Sequence, residues 1–373
     1  MRPRIRLSRF ALVFAAPLVA LLPAIANAQA LVKVNDDVFF RLGIQAQMWG
    51  DWQQDTTPAA GYAQNLYLRR IRFILAGQVA KDVSFFFQTD NPNIGKSTQT
   101  VAGGAGAKAL GAGFLLQDAW VEWKIANEFR LDAGLFLVPF CRNCLQSTSS
   151  YTTLDITPLA ALANAVTQSS GTRDTGFGAK GYLLGDHLEY RAYVFSGARD
   201  PGVKNSFRYS GRVQYDFLDT ETGYVYSGLN MGKKKILAVG VGSDNQADFH
   251  AYSADAFFDL PVGTVGAVAG QAAWYHYDGE DRFTALPRQN DYLGELGFYI
   301  GGLKLEPFVQ YHKIDFSDAV NTNNGQERYQ GGLTYFVYGH NLKFTGAFTR
   351  LLPKNPAVRA TNEVTVQLQA FYF

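Results

Sequence analysis

The chain is poor in three things. It has only 2 cysteines in 373 residues, its 34 basic side chains barely exceed its 32 acidic ones, and nowhere does it reach 18 consecutive apolar residues. So little cysteine excludes a disulfide scaffold. The balanced charge argues against a nucleic-acid partner, which calls for a marked basic excess. The missing apolar runs exclude a helical membrane protein. Aromatic residues, by contrast, are plentiful: 28 Phe, 20 Tyr and 5 Trp are more apolar surface than a disordered chain carries.

Residues 1–28 have the form of an export signal. Arg2, Arg4, Arg6 and Arg9 make a positive start, an apolar stretch runs from Phe10 to Leu22, and Ala26-Asn27-Ala28 gives the small-x-small cleavage pattern. Cleavage after Ala28 would remove four Arg and no acid, taking the formal charge from +2 to −2. The mature domain would be 29–373.

That domain is patterned with period two. In Phe40-Arg41-Leu42-Gly43-Ile44-Gln45-Ala46-Gln47-Met48 the apolar and polar side chains fall on opposite faces of a strand, and the pattern returns in 188–194 and 209–217. Sixteen such segments follow: 37–50, 64–80, 82–91, 114–125, 128–140, 173–184, 187–198, 207–217, 235–244, 247–259, 264–277, 290–301, 303–314, 327–338, 341–351 and 361–373. Long connections alternate with turns of about two residues, as in a meander of hairpins elaborated at one end only. The gap at 218–234 breaks this rule, being long where a short turn is due. Inside a bilayer every backbone N–H and C=O must pair internally, so strands that face lipid have to close. The expected fold is all-β: a 16-stranded antiparallel transmembrane β-barrel, its outer face in contact with outer-membrane lipid and its lumen wide enough for water. Trp49, Trp52, Trp123, Trp274, Tyr335, Tyr338 and Tyr372 are candidates for the interfacial girdles. The last strand puts Val366, Leu368, Ala370 and Tyr372 on its apolar face and leaves the terminal Phe373 on the other, which a bulge would reconcile.

Leu68-Arg69-Arg70-Ile71-Arg72-Phe73-Ile74-Leu75-Ala76-Gly77, then Gln117-Asp118-Ala119-Trp120-Val121-Glu122-Trp123, Leu131 to Phe140, Arg173-Asp174-Thr175-Gly176 and Tyr193 to Gly197 together resemble the phosphate-selective porin O/P family, in order along the mature chain. The resemblance implies a homotrimeric outer-membrane porin whose third external loop folds into the lumen; here that loop is 141–172. It also implies that Arg69-Arg70, and Arg41, sit at family positions for the anion path.

The function to expect is passive diffusion of small hydrophilic solutes, with charge on the inner wall deciding which. Arg70 and Arg72 stack as a ladder about 7 Å apart on the inward phase, and symmetry of the first hairpin would put Arg41 beside Arg72. Arg208 with Arg212, and Lys180 with Arg191, form further inward pairs. Guanidinium groups suit small anions, phosphate included, because they stay charged and offer several donors. Inward acids such as Asp118, Glu122, Asp132, Glu189 and Asp255 oppose them. In the loop the only basic residue is Arg142 and the only acid is Asp155, so a small neutral polar solute would also pass.

Cys141-Arg142-Asn143-Cys144 lacks the α/β setting of a redox C-x-x-C. Export to an oxidising compartment favours a disulfide clamp over a reactive or metal-binding pair. The five histidines have no ligand spacing, so neither metal nor cofactor is expected. No Ser–His–acid motif announces an enzyme. A receptor or adhesin acting through external loops is the remaining class.

Overall fold

The computed structural model describes residues 30–55, 61–99, 104–111, 113–199, 206–280, 282–317 and 321–373; the expected export signal lies outside them. The strands are β1 (Ala30–Lys33), β2 (Phe39–Gln54), β3 (Tyr62–Ala80), β4 (Val83–Asp90), β5 (Leu115–Lys124), β6 (Arg130–Leu137), β7 (Arg173–Leu183), β8 (Leu188–Phe195), β9 (Arg208–Asp216), β10 (Ile236–Gln246), β11 (Phe249–Val262), β12 (Gly266–Asp278), β13 (Gln289–Ile300), β14 (Leu305–Phe316), β15 (Gln326–Phe336), β16 (Leu342–Pro353) and β17 (Thr361–Tyr372). Each of β2–β17 pairs antiparallel with the next, and β17 returns to β2 from Glu363↔Gln53 to Tyr372↔Ile44, so these sixteen strands close a barrel. The additional β1 lies on β2, Ala30↔Leu42 to Lys33↔Phe39, just beyond the end of β17.

Closure satisfies the ladder of every strand, and side-chain alternation does the rest. On β9 the residues Arg208, Ser210, Arg212, Gln214 and Asp216 are buried in the interior while Tyr209 and Val213 are exposed. On β10 and β17 the exposed set is Leu237, Val239, Val241, Val364, Val366 and Leu368. A polar interior inside an apolar surface is the inverse of a soluble protein and matches a barrel set in hydrocarbon.

Three details differ from the sequence reading. Trp49 falls on the inward phase of β2, where its ring N–H bonds Gln367 at 2.7 Å, so it is no girdle residue. The pairing of β17 with β2 runs without a bulge, and Phe373 faces the lumen, its ring 6.2 Å from Phe86. The first hairpin is not centred where symmetry placed it. Its strands run on until Gln54 pairs with Tyr62, which sets Arg41 opposite Ala76 and gives Arg72 Gln45 as its partner.

Two segments enter the barrel from opposite ends. The connection 138–172 comes from the long-loop end and carries a short helix, α1 (Arg142–Leu145), and a 3-10 helix, Pro158–Asn164. The connection 217–235 comes from the short-turn end. They meet as backbone: the Tyr226 N–H donates to Leu145 C=O and the Ser147 N–H to Tyr226 C=O, both at 2.9 Å. This pairing accounts for the long gap in the turn pattern, since both chains would otherwise bury unpaired peptide groups in the lumen.

Candidate functional site: a passage beside the lumenal loop

The loop docks on the β10–β13 side of the barrel, where glycines on the wall let it approach closely. A Cβ on Gly242 would lie 1.9 Å from the Phe140 carbonyl, and one on Gly297 would lie 2.5 Å from the Thr152 methyl. Cys141 and Cys144 are disulfide-bonded and close the first turn. Arg142, between them, is wholly buried: its backbone N–H donates to Asp255 at 3.0 Å, its guanidinium pairs with Glu221 at 2.7 Å, and it stands 3.7 Å over the Phe257 ring. Arg142 therefore anchors the loop to the wall and to the 217–235 segment, and does not face the open space.

Past α1 the loop crosses the lumen. Gln47 donates to the Thr148 carbonyl at 3.2 Å, Gln369 to the Ser149 carbonyl at 3.0 Å, and Thr153 to Glu295 at 3.1 Å. Asp155 then reaches the β3 wall, where Arg69 and Arg70 both bind it, at 2.9 and 2.5 Å. Two consecutive residues of a strand can do this only where the alternation fails. It does: Gln47 pairs with Arg70 and Met48 with Leu68, leaving Arg69 as the extra residue of a bulge. Burial pushes the Asp155 carboxyl up, but the two guanidinium groups outweigh it and hold it at about 2.

Two cavities lie beside the loop on the side of β3, β4 and β5. One cavity of about 310 Å³ opens toward the long loops past Pro92, Asn93 and Gly171. A second, of about 430 Å³, opens toward the short turns past Phe39, Phe85 and Phe373. Arg72, Gln146, Thr148 and Arg173 line both cavities and so mark the neck between them. Arg72 pairs with Asp90 at 2.9 Å and donates to Thr148 at 2.9 Å. Arg173 pairs with Asp118 at 3.2 Å and donates to the Gly171 carbonyl at 2.6 Å. Around the neck four arginines, Arg69, Arg70, Arg72 and Arg173, thus face three aspartates, Asp90, Asp118 and Asp155.

The other expected path residues point inward but lie away from these two cavities. Lys180 is buried against Glu122 at 2.6 Å, Arg191 against Glu189 at 2.8 Å, Arg208 against Asp244 at 2.5 Å and Arg212 against Asp255 at 2.6 Å. Arg191 also donates to the Gly223 and Tyr224 carbonyls at 3.0 Å, holding the 217–235 segment in place. Arg41 remains exposed at the mouth of the second cavity, over the Phe39 ring at 5.6 Å, with no acidic partner among the described residues. Arg173 sits at the first position of its strand, where alternation alone does not assign its face. There the ends of β6 and β7 bend into the lumen, so that Phe136 and Leu137, neighbours in sequence, are both buried inside.

A trio of His250, Asp278 and Glu280 stands close enough to hold an ion, but Arg288 already engages both carboxylates.

Solved structures share this architecture. OmpF of Salmonella typhi, in complex with daunomycin, aligns with TM-score 0.58 and 14% identity over 91% of this chain and 99% of its own. An anion-selective porin from Comamonas acidovorans gives 0.58 and 14% over 89% and 100%, and OprB of Pseudomonas putida gives 0.60 and 10% over 89% and 94%. No curated protein matches by sequence. The model of the phosphate-selective porin O and P family matches residues 42–252, more than half of the chain. With a closed sixteen-stranded barrel around a lumen of buried polar side chains, the chain belongs to the phosphate-selective porin O and P family and forms an outer-membrane channel for small solutes.

Proposed function

We propose that the channel prefers anions. The observation that carries this reading is the charge of the neck, four arginines against three aspartates, with Arg41 beyond it free of any acid among the described residues. In a narrow lumen such donors offset part of the cost of stripping water from an anion, and passage stays fast as long as no site binds too tightly. Here each neck arginine already holds a carboxylate, and the loop's one other cation, Arg142, is buried away from the path. That arrangement favours a general preference for small anions, phosphate among them, over a tight phosphate filter.

The reading includes a leader removed after Ala28 and a homotrimer in the outer membrane. The Vibrio cholerae outer membrane protein OmpT, similar in fold with TM-score 0.55, was solved in a trimer form.

Reversal potential across a planar bilayer in a salt gradient tests the preference. Wild type should read as anion-preferring, and Arg72→Gln with Arg173→Gln should move the potential toward the cation side. A wild-type potential at the cation limit would sink the reading. An unmoved potential in the double variant would take these two arginines off the ion path.

A further inference from the structure

We propose that the cavity on the short-turn side of the neck is a recognition site for small aromatic carboxylates; this rests on the anion-channel reading and names a substrate class for it. The cavity is unlike the rest of the lumen. Inward rings elsewhere, such as Phe249, Tyr275 and Tyr277, are fully buried, whereas those here border open space.

Phe86 on β4 and Trp120 on β5 lie nearly parallel, 6.1 Å apart with 21° between their planes. Tyr224, from the segment that enters at this end, packs 4.7 Å from Trp120 and 5.4 Å from Phe86. Phe373 closes the group edge-on to Phe86 at 6.2 Å. The same walls carry Phe39, Phe371 and Ile74. A wall of rings in a water channel leaves apolar surface wet, a cost that a permeating ring relieves by stacking.

The charge around the rings is of one usable sign. Asp118, the one Asp or Glu side chain lining this cavity among the described residues, is fully buried and already accepts from Arg173, Gln88 and the Tyr224 hydroxyl. Arg41 stands at the open end with no acidic partner among the described residues, while Arg72 and Arg173 stand at the neck. An anion with a flat apolar body meets both demands, with the ring against Phe86 and Phe373 and the carboxylate toward Arg41 or the neck. Inorganic phosphate meets only the second, and a neutral aromatic only the first.

The experiment is current block in planar bilayers, with the purified full-length protein carrying KCl current. Sodium benzoate added on the short-turn side should interrupt the current at concentrations where acetate and phosphate do not, and less strongly when added on the long-loop side, from which it must pass the neck. Cyclohexanecarboxylate, equal in charge but without a π face, should block more weakly than benzoate. Phe86→Leu and Arg41→Gln should each raise the half-blocking concentration of benzoate about tenfold. Equal responses to benzoate and acetate in a channel with normal KCl conductance would overturn this inference and leave the channel itself standing. Absence of any KCl current would bring down the channel reading as well. The wild-type comparison decides without the variants, so a misfolded variant leaves no ambiguity.

Discussion

Asp155 shows how single residues fix the geometry of the passage. It is the loop's only acid, and it is spent on Arg69 and Arg70. Its carboxyl is held at about 2 in the folded protein against about 3.9 in an unfolded chain. A depressed pKa contributes stability that is complete above the unfolded value and is lost as pH falls through the folded one. The difference in unfolding free energy between wild type and Asp155→Asn, followed in urea, should therefore be flat from neutral pH to about pH 4 and shrink between about pH 4 and pH 2. A difference that instead collapses between pH 8 and pH 5 would refute the pairing. Period-two reading found Arg70 and Arg72 because alternation is the strongest signal a strand carries. It could not place Arg69, whose inward turn depends on a bulge that only pairing with β2 creates; Phe373 takes the phase its neighbours imply, and the bulge suggested for it is not there.

At the scale of elements, the strands were legible and the lumen was not. All sixteen barrel strands, including 82–91, 235–244 and 264–277 with their weaker alternation, fall where the pattern put them, since each needs only local alternation and a turn. What fills the barrel depends on contacts between distant segments. The gap at 218–234 registered as an irregularity in the sequence and emerges as a second lumenal segment bonded to the first through Tyr226. Lys180 and Arg191 face inward and are buried, Arg191 beneath this segment. Its role can be measured by replacing 220–234 with a two-residue Asn-Gly turn, which suits the ladder that continues to Asp219 and Lys235. Single-channel conductance should rise, because the lumen loses the Tyr224–Leu229 stretch and the inner wall around Lys180 and Arg191 opens to solvent. An unchanged conductance would mean that the segment lies outside the conducting path.

At the scale of the molecule, composition takes on a different meaning once inside and outside are exchanged. The 47% hydrophobic content is largely an outer surface, with Val213, Val241, Leu296, Val309 and Phe348 exposed on it. The near-neutral net charge is uninformative about selectivity, which rests on a few side chains at the neck. The proposed trimer and removal of the leader can be read in one measurement: native mass spectrometry of the protein extracted from outer membranes should give three copies of a chain beginning at Gln29. A single copy, or a chain that retains Met1, would refute the corresponding half. The seam of the barrel has a wider consequence. Gln47 on the first barrel strand and Gln369 on the last bond each other at 2.8 Å and also grip the neighbouring carbonyls of Thr148 and Ser149. The join between the chain's two ends is thus also gripped from within by its middle, so a solute or substitution that dislodges the loop strips two hydrogen bonds from the seam and leaves the backbone ladder to hold the wall alone.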